Sequence, residues 1–451
     1  MLLVLAVLVL RPSSGVAAPR KSPAAAPASL GALDVIALEI CYTTVLARYY
    51  KPVDPAELLA GARRGIVAYL AKRGVTNPAI PRPAATADRY RAESEIDRDV
   101  ALAVARYGTR VRTTDLVSST IAAELATLHD PYTLLFPPVE YKKFVSFLDG
   151  APAAGIGAEL DVDPQTHAVR VADVFPASPA ESAGLAVGDV LTSIDGRAVP
   201  ASAAAVGAAL RGKPGTTVRI GFQRGGATNE LAIVRRIIVA PDVTGRAIGD
   251  IGYLRLRTFG AQSGTQLDAA LEKLHAANVS GYVLDLRANG GGYRDAAIAI
   301  ASHFVRGTVV TTQERTGKPT AFTAKLATPV LEAPLAVLVD GNTASAAEIV
   351  AAAVQDDKAG TLIGVRTFGK GLVQETFALP DGGAIKMTTA RYLTPAGRDI
   401  DGVGITPDIV VAEPTGAHPG EPGQDPQLDR ALDVLRAATP HRRATFDRDG
   451  P

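Results

Sequence analysis

The sequence predicts an α/β core in which a strand-turn-helix carries a serine, joined to an inserted β-rich domain and preceded by a helical region. Three observations predict it. The apolar run Leu335–Val339 gives way through Asp340-Gly341-Asn342-Thr343-Ala344 to an alanine-rich helical stretch reaching Asp356, which places Ser345 on the turn. Strand and helix patterns alternate from Ile251 to about Val411. Between Phe144 and Val239 the pattern changes to short strands and tight turns, whereas before Phe136 apolar residues recur at helical spacing.

In chain order, residues 1–18 read as a signal peptide. The nine apolar residues Leu2 to Leu10 are too few to span a bilayer, suit an export-signal core, and precede the small residues Val16-Ala17-Ala18. No positive charge comes before the run, and a buried strand is the competing reading. Residues 19–32 form an Ala/Pro spacer. Residues 33–143 form the helical region: Val35, Leu38, Tyr42, Val45, Leu46 and Tyr49 share a helical face, and Pro55 opens a second helix in its first turn. A proline-rich break at 77–85 precedes two more helices, around Ile96 to Tyr107 and Thr114 to Leu128, and the segment closes on Asp130-Pro131-Tyr132-Thr133.

Residues 144–240 carry Gly155-Ile156-Gly157, then Ser178-Pro179-Ala180-Glu181-Ser182-Ala183-Gly184-Leu185, then Gly188-Asp189-Val190-Leu191 running to Asp195-Gly196. A lone G-I-G is a weak signal, but this order resembles a bacterial PDZ domain. The resemblance implies capture of an extended peptide as an added strand, with the amides of Gly155, Ile156 and Gly157 receiving its terminal carboxylate.

Residues 241–412 form the catalytic core. A serine hydroxyl needs a base within hydrogen-bond reach, and the candidate is Lys370, flanked by Gly369 and Gly371, whose missing side chains let neighbours enclose the amine. Such a lysine must fall from about 10.4 to near 7, which burial can supply. Singly, the serine also reads as a helix N-cap and the lysine as a solvated loop residue. A second loop, Asp285-Leu286-Arg287-Ala288-Asn289-Gly290-Gly291-Gly292, ends a strand and opens a helix near Asp295. Its glycines suggest an anion site, but no G-K-[ST] follows to make it a nucleotide loop.

Together, Thr343-Ala344-Ser345-Ala346-Ala347-Glu348-Ile349 and Thr367-Phe368-Gly369-Lys370-Gly371-Leu372-Val373-Gln374 resemble the Ser-Lys site of the C-terminal processing peptidases, the tail-specific proteases of bacteria and plastids. The resemblance implies Ser345 as nucleophile, Lys370 as general base and Gln374 as the residue that orients the lysine. The glycine loop is similar to the D-L-R-x-N-x-G-G loop of the same family, which implies an oxyanion hole made by the amides of Gly291 and Ala346. Asp401-Gly402-Val403-Gly404-Ile405-Thr406-Pro407-Asp408 also matches, so the likeness covers most of residues 130–411. Two departures stand out. Ala347 replaces a common serine, and roughly forty residues more than the family pattern has lie between the helix at Pro55 to Leu70 and the D-P-Y-T turn.

Composition narrows the remaining classes. At 451 residues, 47% of them hydrophobic, the chain can hold two or three cored domains, and its net charge of +1 with no basic block argues against nucleic acid. Cys41 is the only cysteine and the six histidines form no H-E-x-x-H, so neither a disulfide nor a catalytic metal is expected, and no cofactor. Residues 413–451 hold a Pro/Gly linker, one amphipathic helix over Gln427 to Ala438 and a basic tail. The expectation is an exported serine endopeptidase acting on polypeptides with accessible C-termini through an acyl-enzyme. Two alternatives stay open: an inactive peptide-binding scaffold, suggested by Ala347, and a histidine-dependent hydrolase using His303, although no G-x-S-x-G surrounds Ser345.

Overall fold

The computed structural model describes residues 31–81, 88–162, 166, 168–325, 331–412 and 420–438. The signal peptide, nearly all of the Ala/Pro spacer, much of the proline-rich break, the first half of the linker and the basic tail lie outside the described residues. No helix among the described residues is long and apolar enough to cross a membrane.

The core is a six-stranded sheet in the order Val243–Ile248, Ile251–Leu256, Gly281–Asp285, Leu335–Val339, Thr361–Gly364, Ile409–Val410, parallel except for the first pair. Parallel strands covered on both faces must be apolar throughout, and Gly281–Asp285 and Leu335–Val339 are buried at every position. The helices Ser263–Ala276, Arg294–Ala301 and Ala346–Asp356 cover one face. The C-terminal helix Pro426–Ala438 covers the other, inserting Leu428, Ala431, Leu432 and Leu435 against Ile251, Val283, Leu338 and Ile363. That helix, set apart in sequence by a linker, is therefore part of the core.

A second sheet runs Leu134–Phe136, Ala384–Leu393, Thr308–Glu314, Thr320–Thr323, with Leu372–Ala378 also paired to Ala384–Leu393. Its first strand comes from the end of the helical region, and Leu379, Ile385 and Met387 complete the hydrophobic core of the four helices Ala32–Arg48, Pro55–Lys72, Arg89–Tyr107 and Thr113–Ala126. The additional residues before the D-P-Y-T turn thus supply the last two helices of a bundle docked on this sheet.

Within the bundle, Pro55–Lys72 and Thr113–Ala126 approach closely at glycine. A Cβ on Gly65 would lie 2.4 Å from the Ser119 carbonyl oxygen and 2.8 Å from Ala123 Cβ. Helix propensity alone would make Gly65→Ala stabilising by about 1 kcal/mol. Overpacking against another helix's backbone costs about 1–3 kcal/mol and prevails, so Gly65→Ala is expected to lower the melting temperature by several degrees. An unchanged or raised Tm in a thermal scan refutes this packing account.

The inserted domain, built around Val169, Val171, Leu191, Val218, Ile220 and Phe222, has its own sheet in the order Ala158–Val162, Val169–Val174, Val190–Ile194, Thr217–Arg224, Ala227–Val234. Ala158–Val162 is an edge strand, and the helix Ala203–Leu210 lies beside it. The two-stranded ribbon of Ala153–Gly155 with Arg236–Ile238 joins the domain to the core. An ionic cluster also crosses between them: Arg257 donates to Glu159 at 2.6 Å and to Asp173, and Arg255 donates to Glu159 at 3.2 Å.

Candidate active site

Ser345 stands where Leu335–Val339 turns into Ala346–Asp356, at φ 58° and ψ −117°. A non-glycine residue in this region is strained by roughly 1–3 kcal/mol and persists only when its surroundings hold it. They do so here from both sides. The Ser345 N–H donates to Glu348 Oε2 at 2.9 Å, and its carbonyl accepts from the Tyr392 hydroxyl at 3.1 Å. Before the turn, Asp340 Oδ1 accepts from Asn342 N, Thr343 N and Ala288 N at 2.8–3.0 Å and so binds the serine turn to the glycine loop.

Lys370 lies on a loop whose two glycines are sterically required. A Cβ on Gly369 would lie 2.7 Å from Gly404 N, and one on Gly371 would lie 2.7 Å from Asp401 N. The Asp401–Gly404 segment thus presses on the loop from behind, with Gly402 N donating to Gly369 O at 2.9 Å. In front, the Lys370 ammonium sits 4.8 Å above the Tyr132 ring, supplied by the D-P-Y-T turn. Burial pushes the Lys370 amine down to about 8, the Lys386 ammonium adds to the shift, and Glu348 and Asp130 oppose it.

One side chain joins the two loops. Glu348, fully buried, accepts at Oε2 from Ser345 N (2.9 Å) and Lys370 N (2.8 Å), and at Oε1 from Gly369 N (2.8 Å) and the Thr367 hydroxyl (2.5 Å). The family motif assigns Glu348 no role, although serine followed three residues later by glutamate is a capping-box pattern. No hydrogen bond joins Ser345 Oγ to Lys370 Nζ among the described residues. No hydrogen bond joins Gln374 to Lys370 among the described residues either: Gln374 follows a register shift after Val373, and its Nε2 donates to Thr388 Oγ1 at 3.4 Å.

Both amides of the expected oxyanion hole lie beside the serine. The Ala346 N–H is first in its helix, where no intrahelical acceptor exists. A Cβ on Gly291 would lie 2.9 Å from each of Ser345 Cβ, Ala346 N and Ala344 O, so its backbone abuts the nucleophile position. Its N–H, however, donates to Asn289 Oδ1 at 2.9 Å. Asn289 was a second unassigned residue, and its Nδ2 donates in turn to Leu256 O at 2.8 Å.

The other expected positions sit elsewhere. Ala347 is fully buried in the hydrophobic core of the sheet and its covering helices. His303 pairs with Asp268 at 3.2 Å, and Ser345 is not among its partners. Gly155, Ile156 and Gly157 lead into the edge strand Ala158–Val162: Gly155 pairs with Arg236, Ile156 is buried in the domain core, and Gly157 takes φ 83°. No group of three or more His, Cys, Asp or Glu side chains among the described residues could hold a metal ion.

A serine on a strained strand-to-helix turn, a half-buried lysine on a loop bound to the same carboxylate, and an edge-stranded domain joined to their sheet define a serine-type peptidase with a peptide-binding module. The description "Peptidase family S41" matches residues 250–411, and "PDZ domain" matches residues 154–234. The chain belongs to peptidase family S41, with a PDZ domain, in the carboxyl-terminal-processing group. It is 37% identical over 336 residues to a carboxyl-terminal-processing protease of Picosynechococcus sp., covering 72% of this chain and 80% of the relative. Another such protease, from Synechocystis sp., is 37% identical over 322 residues, covering 69% of this chain and 75% of the relative. Among solved structures, the photosystem II D1 C-terminal processing protease superposes with a TM-score of 0.50 at 27% identity, covering 89% of this chain and 97% of that one.

Proposed function

We propose that this chain cleaves polypeptides whose free C-terminus docks on the edge strand Ala158–Val162, with Ser345 as nucleophile and Lys370 as base. The observation that carries the reading is the Glu348 carboxylate, which accepts from the backbones of both Ser345 and Lys370. Ser345 Oγ bonds to the scissile carbonyl carbon as its proton passes to Lys370 Nζ, and the ammonium then gives that proton to the leaving amine. Water repeats the sequence on the acyl-enzyme. The Ala346 amide donates to the oxyanion, joined by the Gly291 amide when it exchanges Asn289 for the substrate. Gln374, on the strand that begins two residues after Lys370, orients the amine once it turns from Thr388.

The docking half of the reading is supported by the open edge of Ala158–Val162 and by the positive-φ turn at Gly157 just before it. Export to an extracytoplasmic compartment is the matching location, supported by the apolar residues 2–10 and the small residues ending at Ala18. Against the scaffold alternative stand the match to peptidase family S41 and the presence of both Ser345 and Lys370 in this sequence.

The test uses an unstructured protein with an apolar C-terminal tail, presented with a free or an amidated terminus. Cleavage of the free form, about tenfold weaker cleavage of the amidated form and none by Ser345→Ala is the expected result. Equal cleavage of both forms removes the docking role, and residual activity in Ser345→Ala removes the nucleophile assignment.

A further inference from the structure

The loop that carries Gly291 is held from the far end of the chain. Arg287, at the start of that loop, has a side chain only 3% exposed. Its guanidinium donates to Asp285 from Nε at 2.9 Å and from Nη2 at 2.6 Å. It also donates to both oxygens of Asp425, at 3.0 and 2.7 Å, and to Gln427 Oε1 at 3.1 Å. Asp425 is fully buried, lies 138 residues downstream and immediately precedes the helix Pro426–Ala438. The same carboxylate accepts from Gly420 N, Gln427 N and Leu428 N.

Holding the helix on the sheet does not require these charges. Leu428, Ala431, Leu432 and Leu435 already bury its apolar face, and a buried ion pair adds little net stability over well-packed apolar groups. What the charges add is a fixed direction. A planar guanidinium gripped by two carboxylates has one orientation, and its own backbone N–H is held to Asp285 Oδ1 at 3.0 Å. From Arg287 the chain reaches Gly291 in four residues, through Ala288 at φ 57° and through Asn289, whose carbonyl accepts from Ala344 N at 2.9 Å.

We propose that Asp425, assisted by Gln427, is a positioning residue: its grip on Arg287 sets the turn to Gly291 against Ser345, making the C-terminal helix a working part of the active site. The inference rests on the proposed reading of that turn as oxyanion-binding. Asp425 touches no substrate and acts only through Arg287.

The experiment compares full-length wild type with Asp425→Asn and Leu432→Ala, each assayed on a peptide substrate well below its measured Tm. Leu432→Ala weakens the packing of the same helix and leaves the ion pair in place. Asp425→Asn is expected to lower kcat by about 10- to 100-fold with KM within about twofold, while Leu432→Ala keeps a near-normal kcat. A normal kcat in Asp425→Asn, or an equal fall in Leu432→Ala, overturns the proposal. If Asp425→Asn does not fold, Gln427→Met, which removes one contact to Arg287 together with the Nε2 bond to Val411 O, decides: a several-fold fall in kcat supports the proposal and an unchanged kcat overturns it. Ser345→Ala is assayed alongside. Activity retained there defeats the site reading itself, whereas activity lost there with kcat intact in Asp425→Asn defeats only the inference.

Discussion

Lys370→Arg and Lys370→Met are both expected to fold and to lose about 10³-fold or more in kcat/KM, because neither side chain can take the serine proton. The methionine fills the same slot without charge, and the arginine keeps a charge that no usable pH removes. In the wild type the active form is the free amine, so the sign of the pH dependence follows from the depressed value. With Lys370 at about 8, kcat/KM should rise about tenfold per pH unit up to that point and then level. At pH 7 about a tenth of the enzyme holds the free amine, against well under a thousandth for an ordinary lysine. Burial is the main cause of the shift and the Lys386 ammonium the next, so Lys386→Met should move the midpoint upward, with Glu348 and Asp130 still favouring the charged form. A profile flat between pH 6 and 8, or near-normal turnover by Lys370→Arg, rules the lysine out as the base.

Glu348→Gln is expected to be nearly as damaging, although it changes one atom and no volume. All four partners of the carboxylate are donors: three backbone amides and the Thr367 hydroxyl. A carboxamide offers one acceptor oxygen and sets an NH2 group against two of those donors. Each buried donor left unpaired costs about 1–3 kcal/mol, and either orientation of the carboxamide loosens the bridge, at the Ser345 and Lys370 amides or at the Gly369 amide and the Thr367 hydroxyl. Electrostatics alone predicts the opposite for activity, since Glu348 raises the Lys370 value and its neutralisation would leave more free amine at pH 7. Geometry should prevail, because displacement of a reacting group by about 1 Å already costs about a hundredfold. The expected result is a kcat lowered by about 10²–10³-fold, a lower Tm, and a residual pH midpoint below that of the wild type. A variant with wild-type kcat would sink the bridging role assigned to this carboxylate.

The elements were largely legible because their signals are local. The apolar run Leu335–Val339 coincides with its strand, and Pro55 opens its helix. The position of Ser345 on a strand-to-helix turn followed from the same periodicity. The glycines around Lys370 were read as permitting close approach, and the approach is real, although the neighbours that make it are the backbone of Asp401 and Gly404. Gln374 and the Gly291 amide were placed by resemblance to a motif. A motif records which residues occur but not which way an amide is turned, and here both amides face other partners, Thr388 and Asn289.

By itself the sequence determined the class of fold, the order of helical region, PDZ domain and core, and the pair of loops that meet at the site. Periodicity and turn chemistry act within a few residues and leave a pattern there. Only the tertiary structure decided that Glu348 joins the two loops, that Tyr132 stands beneath the lysine, that a strand before the PDZ domain enters the second sheet, and that Asp425 grips Arg287. These contacts depend on which polar groups are buried together across tens to hundreds of residues. A single buried carboxylate has no periodicity, and in sequence it looks the same as the exposed helix cap it could equally have been.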